Sequence, residues 1–133
     1  MFGYVAGLPW FLAYFVTGLV LMTAFCALYL RVTPHDELAL IRVGNGAAVT
    51  GFLGAVLGFS LPLASAAANS VSIFDFAVWA LIGMALQVLA YLVASRMMND
   101  LPGRIERGEM AAGAWAGGVA LAMGLLNAAC MTY

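Results

Sequence analysis

Polar and apolar positions fall into long blocks along this chain, with no regular alternation. Four stretches, about residues 8–30, 47–68, 77–95 and 111–132, are almost free of charge. Each reaches roughly the 20 residues that an α-helix needs to cross about 30 Å of hydrocarbon. The pattern predicts four transmembrane helices joined by short polar connections. A lipid-facing barrel would need sustained polar–apolar alternation, which is not there. The first stretch is read as a retained helix, because it lacks a basic leading region and its apolar run is too long for a cleaved leader.

The charges sit between these blocks. Arg31, His35, Asp36, Glu37 and Arg42 separate the first two, and Arg96, Asp100, Arg104, Glu106, Arg107 and Glu109 separate the last two. Counting spans puts all the arginines on one side of the bilayer and leaves Asp75 with the chain termini on the other. By the positive-inside rule the charged loops are cytoplasmic and the N- and C-termini outside, which in a Gram-negative cell means the periplasm. Trp10, Phe11, Tyr14, Phe74, Phe76, Trp79 and Tyr133 are placed at the outer interface, Tyr29 and Trp115 at the inner one.

Composition reinforces the reading. Of 133 residues, 65% are hydrophobic and only 8% charged, against about a quarter charged in an ordinary soluble domain. The net charge of −1 leaves no basic surface for nucleic acid. The lipid bilayer is the first partner implied.

An internal repeat is expected. A shift of 65 residues superposes Gly18 on Gly83, Leu21 on Leu86 and Arg31 on Arg96; a shift of 64 superposes Ile41 on Ile105, Gly44 on Gly108 and Gly54 on Gly118. The fold class is therefore an all-α membrane protein made of two tandem two-helix repeats, residues 1–68 and 69–133. Each repeat has an even number of spans, so the copies share an orientation and a pseudo-twofold axis along the membrane normal follows. Each charged loop reads as a short interfacial helix. In the first, Thr33 is the expected N-cap with Pro34 at the first helical position; in the second, Pro102 and Gly103 weaken the pattern.

Small residues mark where helices approach. Ala47, Gly51, Gly54 and Gly58 share a face of the second span, and Gly113, Gly117, Ala120 and Gly124 share a face of the fourth. Such faces let backbones meet in lipid, where apolar burial does not drive association. We expect these two spans to form the packed centre, with each other or with a second copy, and the bulkier first and third spans to face outward. The intramembrane polar residues are Gln87, Ser60 and Asn127, besides Thr17, Thr23 and Thr50. The hydroxyls can bond their own helices. Gln87 needs a neighbour, because an isolated helix in lipid cannot satisfy its amide. Pro62 is expected to kink or end its helix and free carbonyls for Ser65 or Asn69.

Catalytic chemistry has little to stand on. Cys26 and Cys130 fall near opposite ends of their spans, too far apart for a disulfide. One His and two distant Cys offer no metal-ligand set and no axial haem pair, and no nucleophile–base constellation or phosphate loop is seen. The expectation is no enzyme and no cofactor.

Particular residues resemble a known family. Thr33-Pro34-His35 with Glu37, Leu57-Gly58, Pro62-Leu63, Asn69, Val71-Ser72-Ile73, Asp75 and the closing Asn127-Ala128-Ala129-Cys130-Met131-Thr132 resemble the bacterial YjfL-like inner-membrane proteins, the family of domain of unknown function 350. The resemblance covers essentially the whole chain and implies a multi-pass membrane protein of unknown activity. It also implies an association with envelope-stress gene sets, at the level of the family and not of any residue here.

The function expected is that of a small structural or interaction protein, a homo-oligomer or a subunit of a membrane complex. His35, Glu37, Arg42, Arg104 and Arg107 would form its cytoplasmic docking loops. The alternative is an oligomeric channel or passive carrier for a small ion or solute, lined by Gln87, Ser60, Asn127 and Thr50.

Overall fold

The computed structural model describes residues 3–131. Six helices follow one another: α1 (Gly3–Val32), α2 (Glu37–Arg42), α3 (Gly46–Asn69), α4 (Ile73–Met97), α5 (Leu101–Glu106) and α6 (Met110–Cys130). The four long ones, α1, α3, α4 and α6, are long and apolar enough to cross a membrane. Each expected span is thus a helix, and α4 begins four residues before the apolar block because Ser72 caps it. The Ser72 hydroxyl accepts from Asp75 N, and Asp75 Oδ2 accepts from Val71 N, both at 3.1 Å, so the two residues fasten the start of α4 together.

Contacts along the helices fix their directions. Phe25 stacks on Phe59, and Tyr29 meets Phe52, so α1 and α3 are antiparallel. A Cβ on Gly51 would meet Gly113, one on Gly54 would meet Gly117 and one on Gly58 would meet Ala120, so α3 and α6 run parallel. Their interface is the most extensive in the molecule. α4 lies against both, antiparallel to α6: Gln87 reaches Ala120 O and Trp115 reaches Ala94 O.

Burial corrects one expectation. In the apolar window of α1 only 11% of residues are enclosed, whereas α3 and α4 each reach 39% and α6 33%. The first span is peripheral, as its bulk suggested, but the third is a full member of the core. Its row of Phe76, Ala80, Gly83, Met84, Gln87, Ala90, Tyr91 and Ala94 is buried, because small residues at the helical repeat let bulky neighbours settle between them. Two of the aromatics read as marking the interfaces pack within the bundle. Phe76 is enclosed and stacks on Tyr14, and Tyr29 is enclosed between Phe25, Phe52 and Tyr91.

α2 and α5 cover one end of the bundle. Both have six residues and both stop at a glycine with positive φ, Gly44 at 84° and Gly108 at 78°. Gly44 N donates to Ile41 O and Asn45 N to Leu40 O; Gly108 N donates to Ile105 O and Glu109 N to Arg104 O. This is the Schellman closure, in which a left-handed residue without a Cβ turns the chain back onto the last carbonyls. The capping of α2 differs from the expectation. Asp36 is its N-cap and accepts from Ala39 N, while the Thr33 hydroxyl bonds back to Tyr29 O at the end of α1. In the second loop Pro102 lies in the first turn of α5, where it lacks no needed donor, so the helix forms.

Pro62 does not end α3, which runs on to Asn69. The carbonyl it leaves without a helical donor is that of Gly58, four residues back. Gly58 O packs against Gly124, where any Cβ would collide with it. Ser65 and Asn69 play no part there: Ser65 Oγ donates to Ala128 O at 3.3 Å, and Asn69 Nδ2 donates to Ser65 O at 2.9 Å. The freed carbonyl is covered by a neighbouring helix, which is how membrane helices tolerate internal proline.

Candidate functional site

The five arginines gather at the end of the bundle that carries α2 and α5. Arg31 closes α1, Arg42 closes α2, Arg96 lies in the last turn of α4 and Arg104 in that of α5. Basic side chains at helix C-termini complement the negative end of the dipole. Arg104 pairs with Glu109 at 3.0 Å, and Arg107 reaches Asp100 at 3.3 Å and Glu109 at 3.5 Å. These groups are a third to two-thirds exposed, so each pair contributes about 1 kcal/mol or less. Arg31, Arg42 and Arg96 are exposed and form no ion pair among the described residues.

His35 and Glu37, expected on the same docking face, are inside. From Thr33 to Leu38 burial alternates: Thr33, His35 and Glu37 are enclosed, and Pro34, Asp36 and Leu38 are exposed. The connection between α1 and α2 therefore turns every second side chain inward. His35 Nε2 and Glu37 Oε1 are 2.7 Å apart, with side-chain exposures of 0% and 1%. His35 Nδ1 and Glu37 Oε2 are enclosed without a hydrogen-bond partner. The Glu37 carboxylate lies within electrostatic reach of the Tyr29 and Tyr91 phenols, whose rings meet edge to face at 5.9 Å. Sequence reasoning named the two charged residues but missed both the inward turn and the tyrosines around it.

The intramembrane polar residues separate into two kinds. Thr17, Thr23 and Thr50 donate to carbonyls four residues back, and Ser60 to Leu57 O. Gln87 joins helices instead: its Nε2 donates to Ala120 O at 3.0 Å, and its Oε1 is enclosed without a partner. Asn127 is buried on α6 with its Nδ2 facing the Gly83 backbone of α4. Gly51, Gly54, Gly58, Gly113, Gly117 and Gly124 all lie in the α3–α6 seam. Cys26 and Cys130 are free thiols. Among the described residues, no three His, Cys, Asp or Glu side chains come together as metal ligands.

The profile of a family described as Domain of Unknown Function (DUF350) matches residues 3–131. The chain belongs to the DUF350 family. It is 42% identical over 123 residues to the UPF0719 inner membrane protein YjfL of Escherichia coli (strain K12), which covers 92% of this chain and 93% of the relative. The protein of the same name from Escherichia coli O157:H7 matches equally. No solved structure matches the chain. This DUF350 protein is thus a homologue of an inner-membrane protein, with four apolar helices of spanning length.

Proposed function

We propose that this protein is a non-catalytic interaction subunit of the bacterial inner membrane that offers its arginine end to a partner in a membrane complex. The observation that carries the reading is the set of three exposed arginines, Arg31, Arg42 and Arg96, without ion-pair partners among the described residues. Beside them Arg107 is held only by exposed pairs that an acidic partner can replace. The positive-inside rule puts this end in the cytoplasm and the chain termini outside. The family's association with envelope stress suggests the setting in which a partner is to be sought.

Within this reading the chain is two tandem copies, residues 1–68 and 69–133, about a pseudo-twofold axis along the membrane normal. Supporting it, Glu37–Arg42 and Leu101–Glu106 are offset by 64 residues, as are the two positive-φ glycines Gly44 and Gly108. The small-residue faces of α3 and α6 are spent on each other inside one protomer, so a homo-oligomer would form through other surfaces, α1 foremost.

The test is charge reversal. Arg42→Glu combined with Arg107→Glu is expected to abolish recovery of the partner by in-membrane cross-linking while leaving insertion and helix content unchanged. Undiminished recovery would remove the docking role. The channel alternative draws less support, because the Ser60 and Thr50 hydroxyls are committed to their own helix and Gln87 to Ala120 O.

A further inference from the structure

We propose that the enclosed His35–Glu37 pair is a proton-binding site, loaded from water at the arginine end of the bundle. Taking an ionisable pair out of water is costly, and here both side chains are enclosed. Filling space does not require it here. Leu101 opens α5 as Glu37 opens α2, and it is fully buried. The same place in the second loop is therefore occupied by hydrocarbon, and replacing a buried ionic pair by apolar side chains is often neutral or stabilising.

The free atoms define the ligand. A carboxylate only accepts hydrogen bonds, so with Glu37 in that form His35 Nε2 carries the hydrogen between them and the Nδ1 lone pair is open. A proton needs only the open Nδ1. Hydronium gives its proton to Nδ1 and leaves as water, and His35 becomes an imidazolium held against the Glu37 carboxylate. The new Nδ1–H then needs an acceptor that the closed turn does not supply, so proton binding opens residues 33–36 to solvent.

The other groups facing the pair are few. α1 contributes Tyr29 and the Thr33 hydroxyl, and α4 contributes Tyr91. α3, against which α2 packs, contains no titratable side chain along its length. Asp36 is exposed and occupied in capping α2, and Arg31, Arg42 and Arg96 are exposed.

His35 is the only histidine in the chain, so its ring can be watched directly. The full-length protein, labelled with ¹⁵N-histidine in lipid nanodiscs, is titrated by NMR over the range of about pH 8 to 5, where histidine ordinarily changes charge. Amide exchange at residues 33–42 is followed in parallel, with the α3–α6 seam as the folding control. A one-proton transition of the imidazole is expected, with weaker protection at 33–42, relative to the intrinsic exchange rate at each pH, on the acid side. In Glu37→Gln the midpoint should change, because the partner charge is gone. Glu37→Leu, which copies Leu101, should fold and leave protection at 33–42, relative to the intrinsic rate, insensitive to pH. An imidazole signal that stays constant over the range in the natural chain overturns the proposal, as does an unchanged midpoint in Glu37→Gln with the seam intact.

Discussion

Glycine 113 shows how much of this fold rests on missing atoms. A Cβ there would run into the backbone of Ala47, whereas one on Gly118, a few residues on, would meet nothing within 4 Å. We expect Gly113→Val to destabilise the protein by roughly 1–3 kcal/mol through overpacking. Gly118→Ala should stay within about 0.5 kcal/mol of unchanged. Thermal unfolding of both variants in one detergent checks the contrast, and equal losses would mean that the seam is not where the backbones meet. Gln87 should matter less than Gly113, since an interhelical amide bond in a membrane protein is worth about 0.6 kcal/mol on average. At this scale the sequence was informative about spacing and silent about direction. The steps of three and four between small residues could be read directly. The inward turn of His35 and Glu37 could not, because it depends on the non-helical residues 33–36 and the way they lead into α2.

At the scale of elements, hydropathy located every long helix, and capping chemistry explains where its expected boundaries moved. Ser72 and Asp75 extend α4 beyond its apolar block, and Asp36 takes the place expected for Thr33. Pro62 is expected to kink or end its helix, yet α3 runs on to Asn69, and Gly124 lies against the freed Gly58 carbonyl. No single-chain pattern announces that neighbour. The same holds for Asn45, which caps α3 at Ala48 N and also donates to Ile105 O at 2.8 Å, joining α3 to α5 across the sequence. Asn45→Asp keeps the cap and removes the donor, and Asn45→Ala removes both. The alanine variant is expected to lose about 1 kcal/mol more than the aspartate one, the usual worth of an N-cap. Unfolding in nanodiscs measures the difference, and equal stability of the two would make the cap irrelevant to α3.

For the whole molecule, the arrangement is a core of α3, α4 and α6 with a peripheral α1, and a charged end closed by two short helices. Family membership follows from the match over residues 3–131 and agrees with the motif resemblance seen in the sequence, but it brings no activity with it. The function proposed therefore stands on the arginine end, where the enclosed pair and the exposed cations lie a few residues apart. Native mass spectrometry of the protein drawn from its own membrane into lipid nanodiscs tests that claim most directly, with the Arg42→Glu/Arg107→Glu variant measured alongside. The account expects one or two copies carrying a second protein in the natural chain, and the same copies without it in the variant. A closed ring of identical subunits without a second protein in either sample would contradict it and turn attention to flux.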